Sequence, residues 1–352
     1  MTATGQQLTV FIGSYAEVSA SGVYMFAFDE KEGTLKLLDE ASGMRNPTYL
    51  NVDAANRRLY AIAEGVTEDG AKGGDAVAFA IETEGDKPSL RQLNRALAIT
   101  APSCHIQRDA DSKFLMLASY HGGRVSLASL EENGEVGQLL DIVQHEGEAP
   151  HPHSLFFSPD RQFVFVPDLG IDRIRSYRLD KELGKLVFHG ETSVPDGAGP
   201  RHLVFHPNGH FVYVINELNS TVAVFRYEAD GSLQSVQTIT TLPSDFEGSN
   251  SCAEITMSED GRFVYGSNRG HDSIVVYAAD SESGKLELIG HVSTEGKHPR
   301  HFAILPGGRY LIAANKDTNN LAVFKLEDNG LPVYTGYSVE LPQPVCVQAA
   351  YF

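Results

Sequence analysis

Two sets of polar side chains recur at equivalent places in this 352-residue chain and could act together on an anionic ligand. His153, Arg201 and Arg300 each follow a proline, whereas Glu217 and Arg269 each follow an asparagine that ends an apolar run. A histidine can take a proton near neutral pH, and arginine binds anionic oxygens through a planar fork of donors. Because these residues lie far apart in sequence, only a repeating fold would bring them together.

The sequence does repeat, and the repeat fills the chain. Its best copy runs through residues 199–227, and related stretches begin at His151, Ser251 and His298. The leading position of the repeat recurs every 45 to 55 residues, at Pro47, Pro102, Pro152, Pro200, Cys252, Pro299 and Pro344. Seven copies leave no room for a second domain, so the sequence predicts one domain over residues 1–352.

Each copy has the pattern of four β-strands. In the best copy, a short apolar segment (203–205) precedes the turn HPNG, and alternating runs follow at 211–215 and 221–227 before a fourth strand. Period-two runs separated by turn residues indicate strands, and no long segment has the helical period. The sequence therefore predicts an all-β protein, a β-propeller with seven blades of four antiparallel strands.

The two ends of the chain are expected to share one blade. The first copy starts at LTVFIGSY without a leading strand, and the last segment, PVCVQAAYF, is a leading strand without partners. Pairing the termini would remove two free sheet edges and close the ring.

A propeller places the recurring polar residues at one mouth of its axial channel. The innermost strand of each blade lines this channel, so His153, Arg201 and Arg300 should meet there, while strand alternation should turn His202 and His301 between blades. At the end of the second strand, the Asp or Asn (Asp168, Asn216, Asn268 and Asn315) is expected to bond the turn backbone. The residue after it varies in charge, and Glu217 and Arg269 are the candidates there.

Composition excludes several classes of partner. The formal net charge is −18, which disfavours binding to nucleic acid or an anionic membrane. The N-terminus lacks a secretory pattern, no apolar run is long enough to span a bilayer, and the three cysteines are expected to be unpaired. A cytoplasmic location is therefore predicted, with a small anionic molecule as partner.

Several linked motifs resemble a known family. APHPHSLFFSPD, DLGIDRI, GPRHLVFHPN, INELNST, SNRGHDSI and HPRHFAI occur in this order, and the chain from about Phe11 to its end is similar to the bacterial lactonases with a seven-bladed propeller. That family includes 6-phosphogluconolactonases of the cycloisomerase-2 type and, more distantly, the fungal 3-carboxy-cis,cis-muconate cyclase. The match is weakest over residues 58 to 130.

The resemblance implies an activity and a set of site residues. It implies a carboxylic ester hydrolase, a 6-phosphogluconolactonase of carbohydrate metabolism that converts 6-phospho-D-glucono-1,5-lactone to 6-phosphogluconate in the pentose-phosphate route without a cofactor. The residues matching the proposed active site of the muconate cyclase branch are His153, Arg201, Glu217 and Arg269, and His151 of the same HPH motif could share the role of His153. These residues serve both branches, so a lactonising cycloisomerase remains an alternative, as does a non-catalytic interaction propeller.

The chemistry of lactone hydrolysis suggests a role for each residue. His153 or Glu217 would activate water, Arg201 would stabilise the oxyanion, and Arg269 and Arg300 would hold phosphate. The structural alternatives are a hydrogen bond between blades for His153 and pairing of Arg201 and Arg300 with Glu254. The two-residue spacing of His151 and His153 could also suit zinc, although no third ligand is matched and no metal is predicted.

Overall fold

The computed structural model describes residues 6–84 and 87–352 of the chain. Within these residues the chain forms 28 β-strands and no helix, arranged as seven four-stranded antiparallel sheets. The prediction of an all-β propeller with seven blades of four strands is therefore confirmed.

The strands follow one another along the chain with short turns between them. In the N-terminal half they are β1 Leu8–Ser14, β2 Val23–Asp29, β3 Thr34–Ala41, β4 Leu50–Asp53, β5 Arg58–Val66, β6 Lys72–Glu84, β7 Lys87–Ile99, β8 His105–Arg108, β9 Phe114–Ser119, β10 Arg124–Leu130, β11 Val136–Gln144, β12 Phe156–Phe157, β13 Val164–Asp168, β14 Arg173–Asp180 and β15 Lys185–Ser193. In the C-terminal half they are β16 Pro200–Phe205, β17 Phe211–Asn216, β18 Thr221–Tyr227, β19 Leu233–Thr240, β20 Ser251–Met257, β21 Phe263–Arg269, β22 Ser273–Ala279, β23 Leu286–Ser293, β24 Pro299–Ile304, β25 Tyr310–Asn315, β26 Asn320–Leu326, β27 Pro332–Glu340 and β28 Pro344–Tyr351.

Blade 1 contains both ends of the chain, with the strand order β28-β1-β2-β3. The pairs run antiparallel from Leu8↔Tyr351 to Gly13↔Cys346, so the C-terminal strand supplies the innermost position that the N-terminal strands lack. Blades 2 to 7 follow in chain order, from β4–β7 to β24–β27. The predicted closure by terminal strands is confirmed, and it leaves no sheet edge unpaired at the junction.

Seven apolar clusters hold the ring together, one at each junction between neighbouring blades. Between blades 4 and 5, for example, the clustered side chains include Phe163, Phe165, Val212, Val214 and Phe225, all buried. Burying one such side chain contributes about 1.5–3 kcal/mol to the free energy of folding. Because these side chains fill the space between neighbouring blades, their packing sets the angle between the blades. The spacing of the innermost strands around the axis, and hence the geometry of the channel, follows from this packing.

The innermost strands depart from regular pairing where the predicted site residues lie. Pro200 pairs with Asn216 and His202 with Ile215, which leaves Arg201 as an extra residue. Blade 7 repeats this irregularity at Arg300. Such β-bulges redirect a side chain that regular alternation would place elsewhere.

Three innermost strands are shorter than the repeat pattern predicts. β4, β8 and β12 begin three to four residues after Pro47, Pro102 and Pro152, and Pro152 forms only an isolated bridge with Asp168. The residues before these strands are thereby free to form the rim of the channel.

Candidate active site

Glu217 joins two arginines from neighbouring blades into a buried triad. Its Oε2 lies 3.0 Å from Nε of Arg201 and 2.9 Å from Nη2 of Arg269. Arg201 Nη1 also donates a hydrogen bond to the carbonyl of Ala253, and Arg269 Nη2 donates one to that of Cys252, both at 2.6 Å. Three of the four residues predicted as catalytic are thus in direct contact.

The two guanidinium groups of the triad are shielded from solvent. Their side chains are 3% and 6% exposed, whereas that of Glu217 is 20% exposed. Burial, followed by repulsion from Arg300 and Arg269, lowers the pKa of Arg201 to about 10, and burial likewise lowers the pKa of Arg269. At neutral pH both guanidinium groups remain charged. They hold Glu217 on the side away from the cavity and contribute positive electrostatic potential to the cavity.

His153, from blade 4, shares the wall of one cavity with Glu217. Its backbone N–H donates to the carbonyl of Pro167 at 3.0 Å, which anchors the residue beside the channel. Its buried Nδ1 has no hydrogen-bond partner within the described part of the chain. Burial, and next the charge of Arg201, hold the pKa of His153 well below its usual range. The imidazole is therefore neutral at physiological pH.

Arg300 is the cation that reaches the open space of the mouth. Its Cζ lies 6.0 Å from the ring centroid of Tyr15, and no carboxylate among the described residues forms an ion pair with it. The structural alternative, in which Arg201 and Arg300 pair with Glu254, is not observed among the described residues: Arg201 pairs with Glu217, and Arg300 forms no ion pair. Arg300 thus offers an unpaired guanidinium to an anionic ligand.

His151 lies beside the site and not in its wall. Its Nδ1–H donates to the carbonyl of Tyr120 at 2.8 Å, its ring stacks on that of Tyr120 at 4.2 Å, and its backbone N–H donates to Asp168. Asp168 also contacts His145, whose Nδ1 is 2.6 Å from its Oδ2. Asp168 therefore has the turn-bonding role predicted for it, while substrate binding by His151 stays a prediction.

A cavity of about 330 Å³ opens in front of these groups. Its wall combines residues from two sets of equivalent positions with their neighbours: Tyr15, Asn46, Thr48, Glu64, Pro102, Ser103, Cys104, Tyr120, His121, His153, Glu217 and Arg300. Arg201 and Arg269 lie behind this wall. A volume of this size accommodates a small molecule such as a sugar derivative.

Sequence reasoning missed several members of the wall. Tyr15 and Tyr120 directly follow the second strand of their blades, as Glu217 does in blade 5, and Glu64 has the same position in the repeat but lies within β5. Thr48 and Ser103 occupy the position of His153. The repeat register alone would have identified them. The family motifs are weakest over residues 58 to 130, the stretch that contains Glu64, Ser103 and Tyr120.

A second polar cluster closes the channel below the cavity. Glu254 Oε2 lies 3.0 Å from His202 Nδ1 and 3.0 Å from His301 Nε2, and the rings of Tyr49 and His105 pack beside them. The expectation that His202 and His301 turn away between the blades is therefore wrong. The bulges at Arg201 and Arg300 break the strand alternation on which it was based, so each arginine and the histidine after it both approach the axis.

The cysteines do not offer a nucleophile. All three are free thiols, and burial raises the pKa of Cys104, at the cavity wall, to about 11. A thiol with such a pKa is protonated at neutral pH and unreactive. In residues 6–84 and 87–352, no group of three or more His, Cys, Asp or Glu side chains could hold a metal ion, and no helix could cross a membrane.

A propeller that gathers an imidazole, a carboxylate and several guanidinium groups near one channel mouth has the features of an enzyme that acts on a small molecule. Residues 9–349 match the family model of the lactonases with a seven-bladed β-propeller. The chain belongs to this lactonase family and is a lactone-hydrolysing enzyme.

Named relatives cover nearly the whole chain. It is 34% identical to the 6-phosphogluconolactonase of Bacillus subtilis, over 96% of this chain and 97% of the relative, and 32% identical to the 6-phosphogluconolactonase of Formosa agariphila, over 97% of each. Among solved structures, the periplasmic gluconolactonase of Pseudomonas aeruginosa is similar with a TM-score of 0.89 and 30% identity, covering 97% of this chain and 99% of that one.

Proposed function

We propose that this enzyme is a 6-phosphogluconolactonase, which hydrolyses 6-phospho-D-glucono-1,5-lactone to 6-phosphogluconate. The observation that carries the proposal is the cavity in which an unpaired arginine, Arg300, shares one wall with His153 and Glu217. A phosphorylated sugar lactone needs an activated water, stabilisation of negative charge and an anchor for its phosphate, and these groups supply all three. The names of the relatives from Bacillus subtilis and Formosa agariphila support the same substrate.

His153 is the base in this scheme. Its neutral imidazole takes a proton from the water that attacks the lactone carbonyl, and the resulting imidazolium returns that proton to the ring oxygen as the ester bond breaks. The carboxylate of Glu217 instead forms ion pairs with Arg201 and Arg269. The product is a carboxylate, so one proton is released to solvent in each turnover.

Arg201 acts on the substrate indirectly. Its side chain is 3% exposed and its Nη1 is bonded to Ala253, so it holds Glu217 in place and adds to the positive potential that stabilises the tetrahedral oxyanion. Arg300 makes the direct contact with the phosphate. The indirect role of Arg201 differs from the prediction made from the sequence, in which Arg201 contacts the oxyanion.

The test is a lactone-disappearance assay, corrected for spontaneous hydrolysis, on the wild type, His153→Ala and Arg201→Ala. The kcat/KM for the phosphorylated lactone should exceed that for glucono-1,5-lactone by about 10- to 100-fold. This ratio corresponds to the free energy of one hydrogen bond to a charged group, here the phosphate. Equal rates for wild type and both variants would refute the proposal. A preference for the unphosphorylated lactone would instead favour the activity named for the Pseudomonas aeruginosa protein.

The lactonising cycloisomerase is the second candidate, since the same four residues match that branch. Incubation with 3-carboxy-cis,cis-muconate, monitored by the loss of its absorbance, separates the two activities. We also propose a cytoplasmic location and a place in the pentose-phosphate route, where a phosphorylated lactone would be formed. Cell fractionation with an antibody against the protein tests the location.

A further inference from the structure

Two carboxylates face the cavity, but only one of them is neutralised. Glu217, from blade 5, contacts Arg201 and Arg269, whereas Glu64, at the equivalent position of blade 2, forms no ion pair within the described part of the chain. The polar partner of Glu64 is an amide: Asn46 Nδ2 donates to its Oε1 at 2.6 Å. Among the described residues, no cation therefore lies within ion-pair distance of the carboxylate that Glu64 presents to the cavity.

The position of Glu64 is fixed by its surroundings. Its backbone N–H donates to the carbonyl of Arg45 at 2.9 Å, and its own carbonyl accepts a hydrogen bond from Arg95 at 2.7 Å. Asn46 is held in turn, because its N–H donates to the carbonyl of Ala16 and its Oδ1 accepts from the N–H of Ala16. The carboxylate is thus preorganised, with Oε1 bonded to Asn46 and no hydrogen bond to a described residue at Oε2.

The wall of the cavity has two halves of different chemistry. Arg300 and His153 are contributed by blades 7 and 4, and the buried Arg201 and Arg269 lie behind the same half. The half from blades 2 and 3 carries Glu64 together with the neutral residues Thr48, Ser103 and Tyr120. A ligand that suits both halves has its negative charge at one end and hydroxyl groups at the other.

We propose that Glu64, held by Asn46, is a specificity-determining residue that accepts hydrogen bonds from substrate hydroxyls and repels substrates that carry a carboxylate at that end. The proposal rests on the function proposed above and extends it, because it explains how a cavity lined by Arg300, with Arg201 and Arg269 behind its wall, selects one polyhydroxylated phosphate monoester. A tricarboxylate, whose charges are spread over the whole molecule, would place one of them against Glu64. A sugar-acid lactone offers hydroxyl donors there instead.

The experiment compares the wild type with Glu64→Gln, which keeps the shape of the side chain and an oxygen for Asn46. For 6-phosphogluconolactone, kcat/KM should fall by about 10-fold, mostly through a higher KM, because a charged acceptor is lost. Binding of tricarballylate, measured by calorimetry, should tighten by about 10-fold because the repulsion is removed. Glu17→Gln is the matched control, since that exposed glutamate pairs with Arg45 at the surface, and it should change neither value.

The outcomes separate this inference from the proposed function. If the wild type hydrolyses the lactone but Glu64→Gln leaves its KM and the tricarballylate affinity unchanged, the role of Glu64 is refuted alone. If the wild type does not hydrolyse the lactone, the proposed function fails, and the calorimetry still decides whether Glu64 repels carboxylates. A loss of thermal stability without tighter tricarballylate binding would show a structural role and overturn the inference, and Glu64→Ser, which removes the charge with a smaller side chain, must agree with Glu64→Gln.

Discussion

Replacing Glu217 by glutamine should destabilise the protein far more than an ordinary loss of surface charge. The carboxylate contacts two guanidinium groups whose side chains are only 3% and 6% exposed, so the variant leaves both charges buried without a counter-ion. Removing one partner from a buried ion pair typically costs about 3–5 kcal/mol. For a chain of this length, an unfolding entropy of about 2.1 cal/mol/K per residue converts that loss to a fall in Tm of roughly 4–7 °C.

The matched control is Glu191→Gln. Glu191 also lies between two arginines, 3.8 Å from Arg173 Nε and 3.3 Å from Arg175 Nε, but its side chain is 43% exposed. Ion pairs at the surface contribute about 0–1 kcal/mol, so this variant should lose less than about 1.5 °C and keep its lactonase rate. Scanning calorimetry of the two variants at pH 7 provides the comparison. Equal, small shifts would refute the view that Glu217 balances two buried charges.

Three further predictions concern the cavity and the channel. Arg300→Gln should lower kcat/KM for the phosphorylated lactone by about 10- to 100-fold and leave that for glucono-1,5-lactone nearly unchanged, since one charged hydrogen bond to phosphate is lost; equal losses for both lactones would argue against a phosphate contact. Cys104→Ser should retain activity, because the pKa of the Cys104 thiol is raised to about 11 by burial and the thiol is not a nucleophile, whereas an inactive but folded variant would contradict this. Burial lowers the pKa of four histidines in the channel, which are His105, His153, His202 and His301. Below about pH 6.5 the unfolded chain therefore binds protons that the folded chain does not. The free energy of unfolding should fall as the pH drops below about 6.5. Each histidine changes the free energy of unfolding by up to about 1.4 kcal/mol per pH unit. Glu254 acts in the opposite direction, because burial raises its pKa. A free energy of unfolding in urea that stays constant between about pH 7 and 5 would contradict the prediction.

The fold could be predicted from the sequence because its strongest signals are local and repeated. The turns after each innermost strand and the alternating runs of blade 5 indicated the strand count, and β18 has the predicted bounds, Thr221–Tyr227. Closure followed from two incomplete copies at the ends of the chain. Internal repetition is informative because each copy packs against its neighbouring copies in the same way, so each needs the same pattern of apolar residues.

The detailed arrangement of the site could be predicted only in part. The convergence of Arg201, Glu217 and Arg269 follows from their equivalent positions in the blades, but the burial of both arginines behind Glu217 does not. The placement of His202 depends on a bulge of one residue at Arg201, which has no clear sequence signal and reverses the direction inferred from alternation. Which carboxylate is neutralised, Glu217 or Glu64, also depends on three-dimensional contacts between blades.

A crystal structure with 6-phosphogluconate tests most directly whether the ring assembles a pocket for a phosphorylated sugar acid. The product should occupy the cavity of about 330 Å³, with its phosphate at Arg300, its carboxylate near His153 and its hydroxyls toward Glu64. Binding at the opening on the opposite face of the ring, lined by Phe156, Phe205 and Phe302, would contradict this account.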